Sequence, residues 1–116
     1  MLKCYTFCMS TIPEVDIHEA KKRVDNGALL VDVREQNEFD ELRIPGSILL
    51  PLSEFQARFE ELPKDKEIVM QCRSGARSGQ TTEFLLNNGY KDVVNMSGGI
   101  LAWNEAGLPT EAGKKE

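Results

Sequence analysis

Hydrophobic residues along this chain gather in short, unbroken runs rather than in alternation. Ala28-Leu29-Leu30-Val31, Ser47-Ile48-Leu49-Leu50, Glu67-Ile68-Val69-Met70 and Asp92-Val93-Val94-Asn95-Met96 each hold consecutive apolar residues bounded by turn or charged residues. A strand without a polar face is covered on both sides, as in a parallel sheet between helices. The segments between the runs carry helical signals. Asp16 with Glu19 fits a capping box and opens a helix over Ile17 to Val24, closed by a left-handed turn at Gly27. Gln36 to Leu42 reads as a short helix ended by the Arg43-Ile44-Pro45-Gly46 turn. Ser53 with Gln56 fits a second capping box, for a helix from Glu54 to Leu62 with Phe55, Phe59 and Leu62 on one apolar face. Gln80 to Asn88 is expected to pack Thr81, Phe84 and Leu85 on the sheet and to end at Asn88-Gly89. Ser97-Gly98-Gly99 starts a last helix with Ile100, Leu101 and a core Trp103, and Glu14-Val15-Asp16 is expected to form a short edge strand. Strands alternating with helices, without a repeat or linker, predict one α/β domain on a mainly parallel sheet.

Composition changes this picture little. The 116 residues are 41% hydrophobic and 28% charged, the balance of an ordinary globular domain with a modest core. A net charge of −5 argues against nucleic acid or an anionic membrane as the main partner. No apolar run approaches the ~20 residues that cross a bilayer. Met1 to Met9 lacks a signal-peptide core and a small-residue cleavage site, so a cytoplasmic location is expected. Cys4 and Cys8 have no second pair to complete a zinc site, and His18 is the single histidine, so no metal is expected. The two early cysteines read as incidental thiols on an extension, with a redox pair as the alternative. Lys21, Lys22 and Arg23 form a solvated helix face.

One stretch carries chemistry: Gln71-Cys72-Arg73-Ser74-Gly75-Ala76-Arg77-Ser78. It joins the carboxyl end of a buried strand to the amino end of a helix, where backbone N–H groups and the helix dipole converge. Ser74, Gly75 and Ala76 are small enough to let those N–H groups form an anion-binding nest. A cysteine there ionises more readily than a free one, because the thiolate is the species stabilised; such sites move its pKa from ~8.5 to roughly 3.5–7.5. The competing reading is a buried structural cysteine before a polar turn. Without a partner histidine, whatever activates Cys72 is its own loop. Asp32 and Arg34 follow another buried run, again at a strand's carboxyl end, where open α/β sheets place their sites. They either charge the pocket beside Cys72 or pin the strand as framework.

Cys72-Arg73-Ser74-Gly75-Ala76-Arg77 resembles the active-site loop of the rhodanese-type sulfurtransferases. Asp32-Val33-Arg34-Glu35 with Glu38-Phe39 and Ile44-Pro45-Gly46-Ser47 is similar to that family's first signature, and Ser97-Gly98-Gly99 with Ala102-Trp103 and Gly107-Leu108-Pro109 to its closing one. The chain departs from the pattern at Leu42-Arg43, where Gly-His is usual, and at Leu50, where asparagine is common. The resemblance implies a three-layer α/β fold with a five-stranded sheet and a rhodanese-like domain over residues 12–110. Residues 1–11 read as an extension of uncertain order and the charged, glycine-containing stretch 111–116 as a flexible tail. The family pattern also treats Asp32 and Arg34 chiefly as framework.

The resemblance further implies that Cys72 takes a sulfane sulfur from a donor such as thiosulfate, holds it as a covalent persulfide without another cofactor, and passes it to cyanide or a thiol. Arg73, Ser74, Gly75, Ala76, Arg77 and Ser78 would bind the donor and the terminal sulfur. Arg73 would lean toward an anionic donor; Arg77 would hold either an oxyanion or loop carbonyls, or simply brace the loop. A sulfur-relay protein is a further candidate partner, and resolving a persulfide on Cys72 is the other alternative to incidental thiols for Cys4 and Cys8. The rival enzyme class, a cysteine-dependent phosphatase or arsenate reductase, uses five residues between cysteine and arginine; here four intervene, Arg73 to Ala76. A sulfur carrier that acts only with a dedicated partner, and a binding module without catalysis, are the remaining alternatives.

Overall fold

In a computed structural model, which describes residues 12–112, strands and helices alternate along the chain. They are β1 (Glu14–Val15), α1 (Ile17–Asp25), β2 (Leu29–Asp32), α2 (Gln36–Glu41), β3 (Ile48–Leu49) and α3 (Leu52–Arg58) with a 3-10 turn at Phe59–Glu61. β4 (Ile68–Gln71), α4 (Ala76–Leu86), β5 (Val93–Met96) and α5 (Gly99–Glu105) complete the series. The strands form one sheet in the order β1-β5-β4-β2-β3, and every pairing is parallel. The expected five-stranded parallel sheet flanked by helices is therefore observed.

Strand alternation divides the core. Val31, Ile68, Met70 and Val93 face Phe55 of α3 and Leu85 of α4, while Leu30, Val69, Val94 and Met96 face Ile17 and Ala20 of α1 and Ile100 and Trp103 of α5. This two-sided cover explains the unbroken apolar runs, and it stacks all parallel strand ends along one edge of the domain.

Several boundaries differ from expectation. α4 starts at Ala76 rather than Gln80, with Gly75 in the left-handed conformation (φ 107°) as its cap, so Arg77 and Ser78 belong to the first helical turn. α3 starts at Leu52, and the Ser53 hydroxyl binds Glu35 Oε1 at 2.8 Å instead of capping its own helix. Asp16 does cap α1, accepting from the Glu19 N–H at 2.8 Å, but the Glu19 carboxylate turns to Arg23. β3 is an edge strand with Ile48 45% exposed, not a buried one. Glu111, expected in the flexible tail, is held: its backbone exchanges two 2.9 Å hydrogen bonds with Arg43 and its carboxylate accepts from Arg43 Nε. Cys4, Cys8 and residues 113–116 lie outside the described residues.

Candidate active site

The site is built by tying carbonyls outward. Beyond β4 the chain turns through Cys72 to Gly75 before α4 begins. The first N–H groups of α5 reach across: Ile100 N–H donates to the Cys72 carbonyl at 2.9 Å and Leu101 N–H to the Arg73 carbonyl at 3.1 Å. The Gly75 carbonyl accepts from the side-chain amide of Asn95 on β5 at 3.1 Å. With these carbonyls engaged from outside, the loop's N–H groups turn inward onto sulfur. Gly75 N–H donates to Cys72 Sγ at 3.1 Å, and Ser78 approaches the same atom with both its N–H and its hydroxyl at 3.4 Å.

Such a close approach of α5 needs glycine. A Cβ at Gly99 would lie 2.4 Å from the Arg73 carbonyl oxygen, and both Gly98 and Gly99 have positive φ. The Ser97-Gly98-Gly99 motif is thus part of the scaffold of the Cys72 loop, although it lies far along the chain.

Burial of Cys72, which is 1% exposed, works against ionisation. Hydrogen bonds from the Ser78 hydroxyl and from the backbone of Ser78, Gly75 and Ser74 outweigh it, so the thiol pKa falls below its ordinary value. The arrangement creates a buried thiol whose ionised form the surrounding N–H and O–H donors favour.

The two expected arginines part company. Arg73 is exposed, beside Ile100 and Leu101 in a shallow cleft that also includes Glu38 and Glu41. Arg77 reaches back to α2 and grips Glu38 with both terminal nitrogens, at 3.0 and 3.1 Å. That fork, with the Glu35 N–H donating to Glu38 at 2.9 Å, holds the Glu38 carboxyl down at about 2 even though burial pushes it up. Arg77 therefore braces α4 against α2. Ser74 and Ala76 are exposed on the loop, and Gly75 and Ser78 line the sulfur. Asp32 and Arg34 close on each other: Arg34 Nε lies 3.1 Å from both Asp32 oxygens, and its Nη2 donates to Asp32 at 2.8 Å and to the Leu42 carbonyl. Both are buried, and the pair fastens the end of β2 to the end of α2.

With this geometry in view, the sequence matches the family described as the rhodanese-like domain over residues 16–106. The chain belongs to this family. A sulfurtransferase of Allochromatium vinosum is 40% identical over 103 residues, covering 87% of this chain and 96% of that protein. A putative sulfur carrier protein of Bacillus subtilis is 36% identical over 96 residues, covering 81% of this chain and 52% of that protein. The crystal structure of a rhodanese-related protein from Thermoplasma volcanium has a TM-score of 0.80 at 30% identity, covering 85% of this chain and 97% of that one.

Within this rhodanese-like domain, two participants escaped the sequence reading. Asn95 interrupts the apolar run of β5 and is 1% exposed, which was its available signal: a polar residue in a strand without a polar face. Glu38 stands in a recognised motif, but only the fold brings it to Arg77. Among the described residues no helix is long and apolar enough to cross a membrane, and no cluster of His, Cys, Asp and Glu is arranged to hold a metal ion.

Proposed function

We propose that this protein is a sulfurtransferase that carries a sulfane sulfur on Cys72. The observation that carries the reading is the convergence of the Gly75 and Ser78 N–H groups and the Ser78 hydroxyl on one buried sulfur. In the first half-reaction the Cys72 thiolate attacks the outer sulfur of thiosulfate or a persulfide donor. A new S–S bond forms, the donor's S–S bond breaks, and sulfite or a thiolate leaves with the electron pair. The same donors that solvate the thiolate then serve the terminal sulfur of the Cys72 persulfide. In the second half-reaction cyanide or a thiolate takes the terminal sulfur and the electron pair returns to Cys72. A two-step covalent cycle predicts ping-pong kinetics.

A phosphatase cycle fits poorly. Four residues separate Cys72 from Arg77, and the Arg77 fork is already filled by Glu38. A relay between proteins is the second reading: Leu101, 49% exposed beside Arg73, offers an apolar contact that a free anion does not need.

The test is intact mass spectrometry after incubating reduced protein with thiosulfate. The wild type is expected to gain the mass of one sulfur atom and lose it on adding cyanide, and Cys72→Ser is expected to gain nothing. Loading by a cysteine-desulfurase persulfide but not by thiosulfate would favour the relay. Loading by neither, or Cys72-dependent hydrolysis of an aryl phosphate, would overturn the proposal.

A further inference from the structure

The Ser78 hydroxyl has one proton and faces two acceptors. Cys72 Sγ lies 3.4 Å away on one side, and Asn95 Oδ1 accepts at 2.5 Å on the other. The orientation of the Asn95 amide is fixed by its surroundings. Its nitrogen faces the Glu14 carboxylate at 3.0 Å and the Gly75 carbonyl at 3.1 Å, both acceptors, so both amide protons are taken and Oδ1 must face Ser78. An amide whose N–H binds a carboxylate is polarised, and its oxygen becomes a stronger acceptor. The chain Glu14–Asn95–Ser78–Cys72 therefore runs unbroken from an exposed edge strand to the buried sulfur.

We propose that Asn95 and Glu14 are positioning residues that hold the Ser78 hydroxyl proton away from the Cys72 sulfur while that sulfur is neutral, and so set how readily Cys72 ionises. In the thiol state the S–H donates to Ser78 Oγ and the Ser78 O–H donates to Asn95. When the S–H proton leaves to solvent, the hydroxyl proton turns from Asn95 to the thiolate, and Asn95 Oδ1 is left without its donor. No atom is oxidised or reduced; the cost is that one lost hydrogen bond, and Glu14 enlarges it. The other charged groups around Cys72 are Arg73, the Arg77–Glu38 pair and the Asp32–Arg34 pair, while Glu83 of α4 shares a cleft with Glu14. None of these touches the Ser78 hydroxyl.

The inference rests on Cys72 being the reacting thiol, but its test needs no sulfur donor. The Cys72 thiolate is titrated by ultraviolet absorbance and by alkylation rate, in a Cys4→Ser/Cys8→Ser background that leaves one thiol. Glu14→Gln keeps the shape and an acceptor oxygen and removes the charge. It is expected to raise the thiolate fraction at a fixed pH below the pKa by about threefold, on the scale where tenfold is one pH unit. In a Ser78→Ala background the same substitution is expected to change nothing. An unchanged or lowered thiolate fraction in Glu14→Gln, or a rise that survives in Ser78→Ala as a direct field effect would, overturns the proposal. Sulfur loading by mass, measured on the same proteins, reads the sulfurtransferase reaction separately, so a failure of either is recognisable on its own.

Discussion

The carboxyl ends of β2 and β4 lie side by side, with Asp32 opposite Gln71 in the sheet register, and each is soon followed by an arginine. They use nearly the same materials to opposite ends. At β2, Arg34 returns to Asp32 and to the Leu42 carbonyl just past α2, and both side chains are buried. At β4, the carbonyls of Cys72, Arg73 and Gly75 are engaged by α5 and Asn95, so the N–H groups face inward with only sulfur to bind. Arg73 stays exposed and outside every ion pair among the described residues. Neighbours engage the carbonyls of both turns, those of Asp32 and Val33 through the Leu50 and Leu52 N–H groups. The difference is that Asp32 takes up the arginine and N–H donors of the β2 turn, whereas Gly75 and Ser78 aim theirs at a sulfur.

The contrast is broken most forcefully at Arg34. Arg34→Ala strands the buried Asp32 carboxylate, and removing one partner of such a pair costs about 3–5 kcal/mol. Urea unfolding is expected to register that loss; a loss below about 1 kcal/mol would mean that the β2 turn is not held by the pair. Arg73→Ala is the opposite experiment. Stability should stay within about 0.5 kcal/mol of wild type, as for other exposed positions. The rate of sulfur loading from thiosulfate should fall about tenfold, corresponding to loss of one charge-assisted contact of about 1.4 kcal/mol, with a smaller loss for a neutral persulfide donor. Equal losses with both donors would remove Arg73 from anion binding.

The same contrast explains what could be read from the sequence. The apolar runs gave the strands because burial on both faces leaves its mark on every residue of the run, and Cys72 stood out because small residues and a helix start surround it. Two helices start earlier than their local signals indicate, for different reasons. Ser53 looked like a cap yet binds Glu35, and α4 begins at Ala76 because Gly75 adopts the left-handed turn that lets it start early. The partners of the loop are distant in sequence: Ile100 and Leu101 for its carbonyls, Asn95 for Gly75, Glu38 for Arg77. A hydrogen bond across 39 residues, as between Glu38 and Arg77, leaves no periodic trace in the chain. The candidate cysteine was therefore legible and its harness was not.

That harness has a smaller effect that acid isolates. The Glu38 carboxyl titrates at about 2 in the fold, below its ordinary 4.5, because Arg77 and the Glu35 N–H favour its charged form against the opposing effect of burial. A carboxyl with a depressed pKa binds fewer protons folded than unfolded, so stability rises with pH across that interval. Its contribution is complete above about 4.5 and is lost as the pH falls toward about 2. Glu38→Gln keeps the shape and one acceptor but cannot hold the charge, and should cost about 1 kcal/mol at neutral pH, the upper end for a partly exposed pair. The gap between wild type and variant, followed by urea unfolding at a series of pH values, is expected to close as the solution is acidified through the same interval. A gap that stays constant down to the lowest pH would mean that Glu38 acts by packing rather than charge, and that α4 is braced by something other than the Arg77 fork.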